Sequence, residues 1–350
     1  MNPVNSIEIG LPDDWHLHVR DGEFLPDLLK HTASQFGRAI IMPNLKPPVT
    51  NAEMALAYKS RILNALPPSS TFEPLMVLYL TDNTSPEEVR RAKEAGVVGF
   101  KLYPAGATTN SDAGVTDIKK CASALDAMAE CGLPLLVHGE VTHAEIDVFD
   151  REAVFIDQVL EPVRVRHPGL KIVFEHITTK QAAQYVESAD TKRFGAIAAT
   201  ITPQHMLYNR NAIFTGGIRP HYYCLPILKR EEHRQELVRV AISGNPRFFL
   251  GTDSAPHLRG TKENACGCAG CYTAWHAMPL YAEVFDAANA LNRLEGFASQ
   301  FGADFYGLPR NTAKLILSRQ TQQIPNEFPM GGGTVVPLRA GETLAWSIVG

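Results

Sequence analysis

The order of residues in this chain predicts an α/β fold closing into an eight-stranded TIM barrel, and three observations carry that expectation. Short apolar runs of strand character alternate with helical stretches, which is the pattern of βαβ units and a parallel sheet. The strand-like runs number eight. Polar side chains able to bind metal or substrate recur at one end of these runs, where scatter would place them anywhere. A chain of 350 residues suits a barrel built as one unit, so a single domain over 1–350 is expected.

The strand candidates are 15–19, 39–42, 74–80, 97–102, 133–137, 171–174, 196–201 and 247–251. Helical stretches fall between them at 24–34, 52–66, 86–95, 117–130, 144–166, 180–188 and 229–243. Ser85-Pro86-Glu87-Glu88 reads as a capping box with proline at the first helical position, and Thr178-Thr179-Lys180-Gln181 as a second cap. Beyond Cys271, helices are expected at 272–289, 293–302 and 312–318, outside the barrel. The tail from Ile324 is rich in Pro and Gly. Within it, Gly331-Gly332-Gly333-Thr334 lacks the lysine and helix of a phosphate loop and reads as a turn.

Composition narrows the class. The chain is 45% hydrophobic and 20% charged with a formal net charge of −4, an ordinary soluble globular balance. Weak acidity opposes a nucleic-acid partner, which calls for a basic face. No run is long and apolar enough for a bilayer, and Met1-Asn2-Pro3-Val4-Asn5-Ser6 has no basic region followed by an apolar one. A cytoplasmic protein with no membrane partner is expected. The six cysteines are too few for a disulfide scaffold. Cys224, Cys266, Cys268 and Cys271 allow a structural zinc site, although their spacing differs from paired Cys-x-x-Cys knuckles. Reduced thiols on a Gly-rich loop are the other reading.

The chemistry starts at Asp13-Asp14-Trp15-His16-Leu17-His18-Val19-Arg20. As a strand, this stretch puts His16, His18 and Arg20 on one face and Leu17 and Val19 on the other. Two imidazoles so spaced can share a metal ion, yet two ligands are too few for a zinc site. Later strands supply more. The second run ends in Pro43-Asn44, the fourth carries Lys101, the fifth leads to His138 and the sixth to His176. The eighth leads to Asp253, with His257 on the loop after it. Barrel enzymes build their sites at the C-terminal ends of the strands, so these residues would meet at one mouth and a metal centre becomes the favoured reading.

Lys101 lies among apolar and aromatic neighbours, where an ammonium is costly to bury. A buried lysine becomes neutral, and a neutral amine can take up carbon dioxide as an anionic, bidentate carbamate. Snorkelling to the barrel rim is the other outcome. Taken alone, Arg20 suits a salt bridge to Asp21 or Asp14, and Asn44 a turn. The small-residue loop 104–114 suits either a lid or a plain surface loop. His205, Arg219 and His221 carry no assignable role, and suit packing or support behind the site residues.

His16-x-His18 with Lys101, His138, His176 and Asp253 resembles the binuclear metal centre of the amidohydrolase superfamily. Longer strings narrow the resemblance to the dihydroorotases of the short, monofunctional bacterial type, over nearly the whole chain. They are Asp13-Asp14-Trp15-His16-Leu17-His18, Met42-Pro43-Asn44, Lys101-Leu102-Tyr103-Pro104, Leu136-Val137-His138-Gly139-Glu140, Phe174-Glu175-His176-Ile177-Thr178-Thr179 and Gly251-Thr252-Asp253-Ser254-Ala255-Pro256-His257.

The resemblance implies two zinc ions per subunit. His16, His18 and Asp253 would hold the more buried ion, and His138 and His176 the more exposed one. N6-carboxylated Lys101 and a hydroxide would bridge them. Asp253 would act as general base and then acid, moving the hydroxide's proton to the ring nitrogen. The reaction implied is the reversible interconversion of N-carbamoyl-L-aspartate and L-dihydroorotate in de novo pyrimidine biosynthesis. Arg20, Asn44, His138 and His257 would bind the substrate, with the backbone at Leu225 and Ala269 on its ring amides. That places 266–271 in a substrate loop. Thr108 and Thr109 would belong to a lid, and the protein would be a homodimer. A hydantoinase or allantoinase would share the metal ligands without needing Arg20, Asn44 and His257 to anchor a carboxylate. A non-catalytic barrel that binds a partner is the contrasting class, and the complete ligand set with Asp253 opposes it.

Overall fold

The computed structural model describes residues 5–349. A short strand, β1 (Ser6–Gly10), precedes the barrel. The barrel strands are β2 (Asp13–Leu17), β3 (Arg38–Ile41), β4 (Glu73–Met76) with β5 (Leu78–Tyr79), β6 (Phe100–Leu102), β7 (Leu135–Val137), β8 (Ile172–Phe174), β9 (Ile197–Ile201) and β10 (Phe248–Leu250). Each pairs in parallel with its neighbour. β4 and β5 are the two halves of the third run, broken at Val77; the first half pairs with β3 and the second with β6. The seam between β10 and β2 closes through Asp253 N–H to His16 O (2.9 Å) and His18 N–H to Ser254 O (3.1 Å). Asp14 fastens the same seam. Its carboxylate accepts the Thr252 N–H at 2.8 Å and the Thr252 hydroxyl at 2.6 Å. The fold is therefore a TIM barrel.

Alternation along the strands sorts the side chains. Leu17, Phe100, Leu102, Leu135, Val137 and Phe174 pack outward against the helices. Ile40, Met42, Leu75, Val77, Leu136, Val173, Ala198 and Phe249 fill the interior. Trp15 joins this interior cluster and stacks on Tyr306 with ring centroids 4.7 Å apart. The helices expected outside the barrel are here corrected in part: the segment Phe301–Tyr306 plugs the barrel floor. Gly302 permits that contact, because a Cβ there would lie 2.0 Å from Trp15 Nε1.

The helix expected at 312–318 is instead a strand, β11 (Lys314–Ser318), antiparallel to β1 and flanked by Ser347–Val349. Leu315 and Leu317 are buried between exposed Lys314 and Ile316, a period-two pattern that overrides the helical reading. The helix expected over 144–166 begins only at Arg151. Ser85 and Thr179 do cap their helices, accepting the N–H of Glu88 and Ala182. Glu88 does not close the capping box; it reaches across to the Ala52 N–H at 2.7 Å. The Gly-rich tail segment turns a hairpin between Phe328–Met330 and Gly333–Val335. Among the described residues no helix is long and apolar enough to cross a membrane.

Candidate metal centre and active site

Simple alternation does not deliver the first ligand pair. The register of β2 against β3 slips between Asp14 and Leu17, a bulge. It lets Trp15 point into the barrel floor while the adjacent His16 reaches the mouth. The strand stops at Leu17, and Arg20 lies beyond it with φ +57°. The expectation of three residues on one strand face is thus corrected. A bulge and a left-handed turn bring His16, His18 and Arg20 to one cavity. Leu17 and Val19 face the opposite side, packed with Leu25 and Leu29.

His16 Nε2 and His18 Nε2 lie 3.4 and 3.2 Å from Asp253 Oδ1. Ligand atoms of these three residues all fall within 4.8 Å of one another, a spacing suited to a metal ion. The His176 ring is 4.9 Å from the rings of both His16 and His138. Carboxylates fix two of the rings from behind. His16 Nδ1–H donates to Glu175 Oε2 at 2.9 Å, and His138 Nε2–H donates to Glu140 Oε2 at 2.8 Å. In each ring the other nitrogen then keeps its lone pair. His176 and Asp253 have φ values of +40° and +46°, strained backbone that tight surroundings must hold. The His176 N–H is tied to Thr200 Oγ1 (2.7 Å) and the Asp253 N–H to His16 O.

Lys101 is fully buried, so it does not snorkel to the rim. Its Nζ has no hydrogen-bond partner and sits 5.1 Å from the centroid of the Tyr103 ring. Burial pushes its pKa down to about 8, against the pull of Glu175 and Asp253. Burial also holds His16 and His176 well below the usual imidazole range and lowers His18, which favours the neutral form that ligates cations. His176 Nδ1 is likewise buried and unpartnered. Orphaned buried polar atoms demand an explanation. Four imidazoles, a carboxylate and a partnerless amine around one point fit a pair of cations.

Arg20, Asn44, Thr108, Thr109, His138, Leu225 and Ala269 line the same inner cavity as the histidines and Asp253. Its free volume is about 20 Å³, room for little more than a water molecule. An outer basin of about 540 Å³ adjoins it; His257 lines the basin, and Arg20 and Thr109 line both spaces. Arg20 pairs with neither acid suggested by its sequence neighbours. Asp21 holds Arg61 and Asp14 holds Thr252. Arg20 instead donates to Pro256 O (2.8 Å), and its Nη2 lies 3.0 Å from His257 Nε2, which itself donates to Ala269 O at 2.9 Å. The His257 pKa is pushed down to about 2 by burial, with Arg20 and Lys262 adding to it. Asn44 ties the 104–114 loop down. Its Nδ2 donates to Thr109 O, while Asn110 Nδ2 donates to Asn44 O, each at 3.1 Å.

Lys262 Nζ donates to Tyr223 O, Cys268 O and Gly270 O at 2.9, 2.8 and 2.6 Å, pinning the loops that carry Leu225 and Ala269. The cysteines do not form the metal-type group among the described residues. Cys266 is exposed, whereas Cys224 and Cys271 are buried. His205 packs as expected, donating to Pro226 O at 2.9 Å. Sequence reasoning missed Glu175, Thr200, Glu140, Tyr103 and Lys262. Glu175 had a signal, because two residues after inward-facing Val173 the chain faces inward again. Tyr103 had the same signal from Lys101. Nothing in the local sequence marks Lys262.

The chain matches the model of the amidohydrolase family over residues 9–315. It is 68% identical to a dihydroorotase of Cupriavidus pinatubonensis over 344 residues, 98% of this chain and 99% of that one. Among solved structures it resembles dihydroorotase from Campylobacter jejuni, with a TM-score of 0.90 and 36% identity over 100% of this chain and 99% of that one. It also resembles Saccharomyces cerevisiae dihydroorotase in complex with 5-fluoroorotic acid, with a TM-score of 0.88 and 34% identity over 99% of each chain. On this fold, this donor set and these likenesses, the chain belongs to the amidohydrolase family, among its dihydroorotases, and is a cyclic amidohydrolase.

Proposed function

We propose that the chain is a zinc-dependent dihydroorotase that interconverts N-carbamoyl-L-aspartate and L-dihydroorotate in de novo pyrimidine biosynthesis. It would work in the cytoplasm as a homodimer, each subunit a single domain over 1–350. One observation supports this reading most: His16, His18, His138, His176 and Asp253, five side chains from four separate strand ends, gather beside the buried, partnerless amine of Lys101. His16, His18 and Asp253 would hold one ion, His138 and His176 the other, with N6-carboxylated Lys101 between them. When bound, the two zinc ions activate water and polarise the amide carbonyl.

The chain's own residues do the rest. Lys101 is buried and its pKa lies near 8, so part of it is a neutral amine able to add to carbon dioxide, forming an N–C bond and losing one N–H proton. Asp253 has one carboxylate oxygen beside His16 and His18 and lines the cavity. In ring opening it accepts the proton of the attacking water and passes it to the departing ring nitrogen; ring closure reverses the path. Arg20, which has no carboxylate partner among the described residues, grips the substrate carboxylate with Asn44 and His257. The backbone at Leu225 and Ala269 meets the ring amides, and Thr108 and Thr109 close over them to exclude water.

The test is turnover of dihydroorotate and of hydantoin, which lacks the carboxylate, before and after chelation and zinc return. Dihydroorotate should be strongly preferred, and its turnover should vanish with chelation and come back with zinc. Preference for hydantoin, or turnover indifferent to chelation, would contradict the assignment.

A further inference from the structure

We infer that Glu175 and Thr200 are positioning residues that hold the ligands of the two cation positions in one fixed relation; this rests on the proposed metal centre. The contacts form a continuous chain across three strands. His16 Nδ1–H donates to Glu175 Oε2 at 2.9 Å. The Thr200 hydroxyl donates to the same oxygen at 2.6 Å. Thr200 Oγ1 accepts the His176 N–H at 2.7 Å. His16 belongs to one cation position and His176 to the other, so a single hydrogen-bonded path joins them.

Its direction follows from the atoms. An ionised carboxylate can only accept, so His16 carries its hydrogen on Nδ1 and keeps the Nε2 lone pair on the side of Asp253. Thr200 has one hydroxyl hydrogen, given to Glu175. Its oxygen is then the acceptor for the very peptide that takes the strained φ of +40°. That bond fixes where the His176 ring leaves the strand end. Neighbouring residues leave space for the path. A Cβ at Gly251 would lie 2.7 Å from Thr200 Cβ and 3.2 Å from His16 Cβ.

A role in folding alone leaves one thing unexplained. Glu175 is fully buried, yet among the described residues no arginine or lysine is hydrogen-bonded to it, and its Oε1 has no partner. Lys101 is the cation whose charge acts on Glu175, with no hydrogen bond between the two, and carboxylation of that amine would remove it and leave a buried carboxylate unbalanced, which is strongly unfavourable. A cation on the far side of His16 would balance it, transmitted through the imidazole, and would make that ring a better donor.

The experiment compares wild type with Glu175→Gln, Thr200→Val and Thr200→Ser. Metal-free protein is titrated with zinc against a chromophoric chelator. Cobalt-loaded protein gives a visible spectrum that reports ligand geometry, and melting of the metal-free forms checks the fold. Glu175→Gln and Thr200→Val should lose about 10–100-fold in zinc affinity and alter the cobalt spectrum, while Thr200→Ser restores both. Unchanged affinity and spectrum in Glu175→Gln and Thr200→Val would overturn the inference. Should Glu175→Gln fail to fold, the valine and serine variants decide it: equal zinc affinity in those two overturns the inference, and weakening in valine alone supports it. Wild type that takes up no zinc would overturn the metal centre itself, which separates the two failures.

Discussion

Asp253 meets three demands at once: it closes the barrel seam through its N–H, bears a left-handed backbone, and brings one oxygen to both His16 and His18. Asparagine would keep the shape but could not take a proton. Asp253→Asn should fold with an unchanged far-ultraviolet spectrum and lose at least about 10²–10⁴-fold in kcat, the usual worth of a placed acid–base group; near-normal kcat would refute the role. His276 carries a different kind of prediction. It is buried, donates to Leu338 O at 2.9 Å, and burial pushes its pKa down to about 3. The unfolded chain binds this proton near pH 6.5, well before the folded one does. The stabilisation is thus complete above about pH 6.5 and is lost as pH falls toward 3, on the order of 3 kcal/mol by pH 4. Denaturant midpoints at pH 7 and pH 4 check it: His276→Gln should lose less stability over that interval than wild type, and equal losses would contradict the account.

At the scale of elements, the site depends on loops that the barrel alone does not hold. Lys262 fastens two of them through three carbonyls, and charge-assisted bonds of this kind are worth more than neutral ones. Lys262→Met should loosen the backbone at Leu225 and Ala269 and raise KM about tenfold, or about 1.4 kcal/mol, with a smaller effect on kcat. Unchanged KM would contradict the clamp. Elements differed in how well the sequence displayed them. Lys180–Ser188 matches the expected helix at both ends, because Thr179 caps it and its apolar residues keep helical spacing. The segment 312–318 misled, because Leu-Ile-Leu fits either period and only pairing with β1 decides it. The hidden floor helix was misplaced because nothing local says that Gly302 must lie against Trp15, far away in sequence.

For the molecule as a whole, the site was easier to read than its supports. Histidines, lysine and aspartate at strand ends announce themselves by type and by position along each run. A barrel then needs only parallel strands to gather them. Glu175 and Thr200 act through contacts between strands, and a single sequence does not show which strands face each other across the barrel. The bulge in β2 was invisible for a related reason: it exists only relative to β3. The central claim is that His16, His18, Lys101, His138, His176 and Asp253 together hold two cations. Anomalous diffraction at the zinc edge, from crystals grown with zinc and bicarbonate, tests it most directly. Two peaks about 3.5–4 Å apart among those residues, with density extending the Lys101 side chain between them, are predicted. A single peak, or peaks elsewhere with Lys101 unmodified, would contradict it.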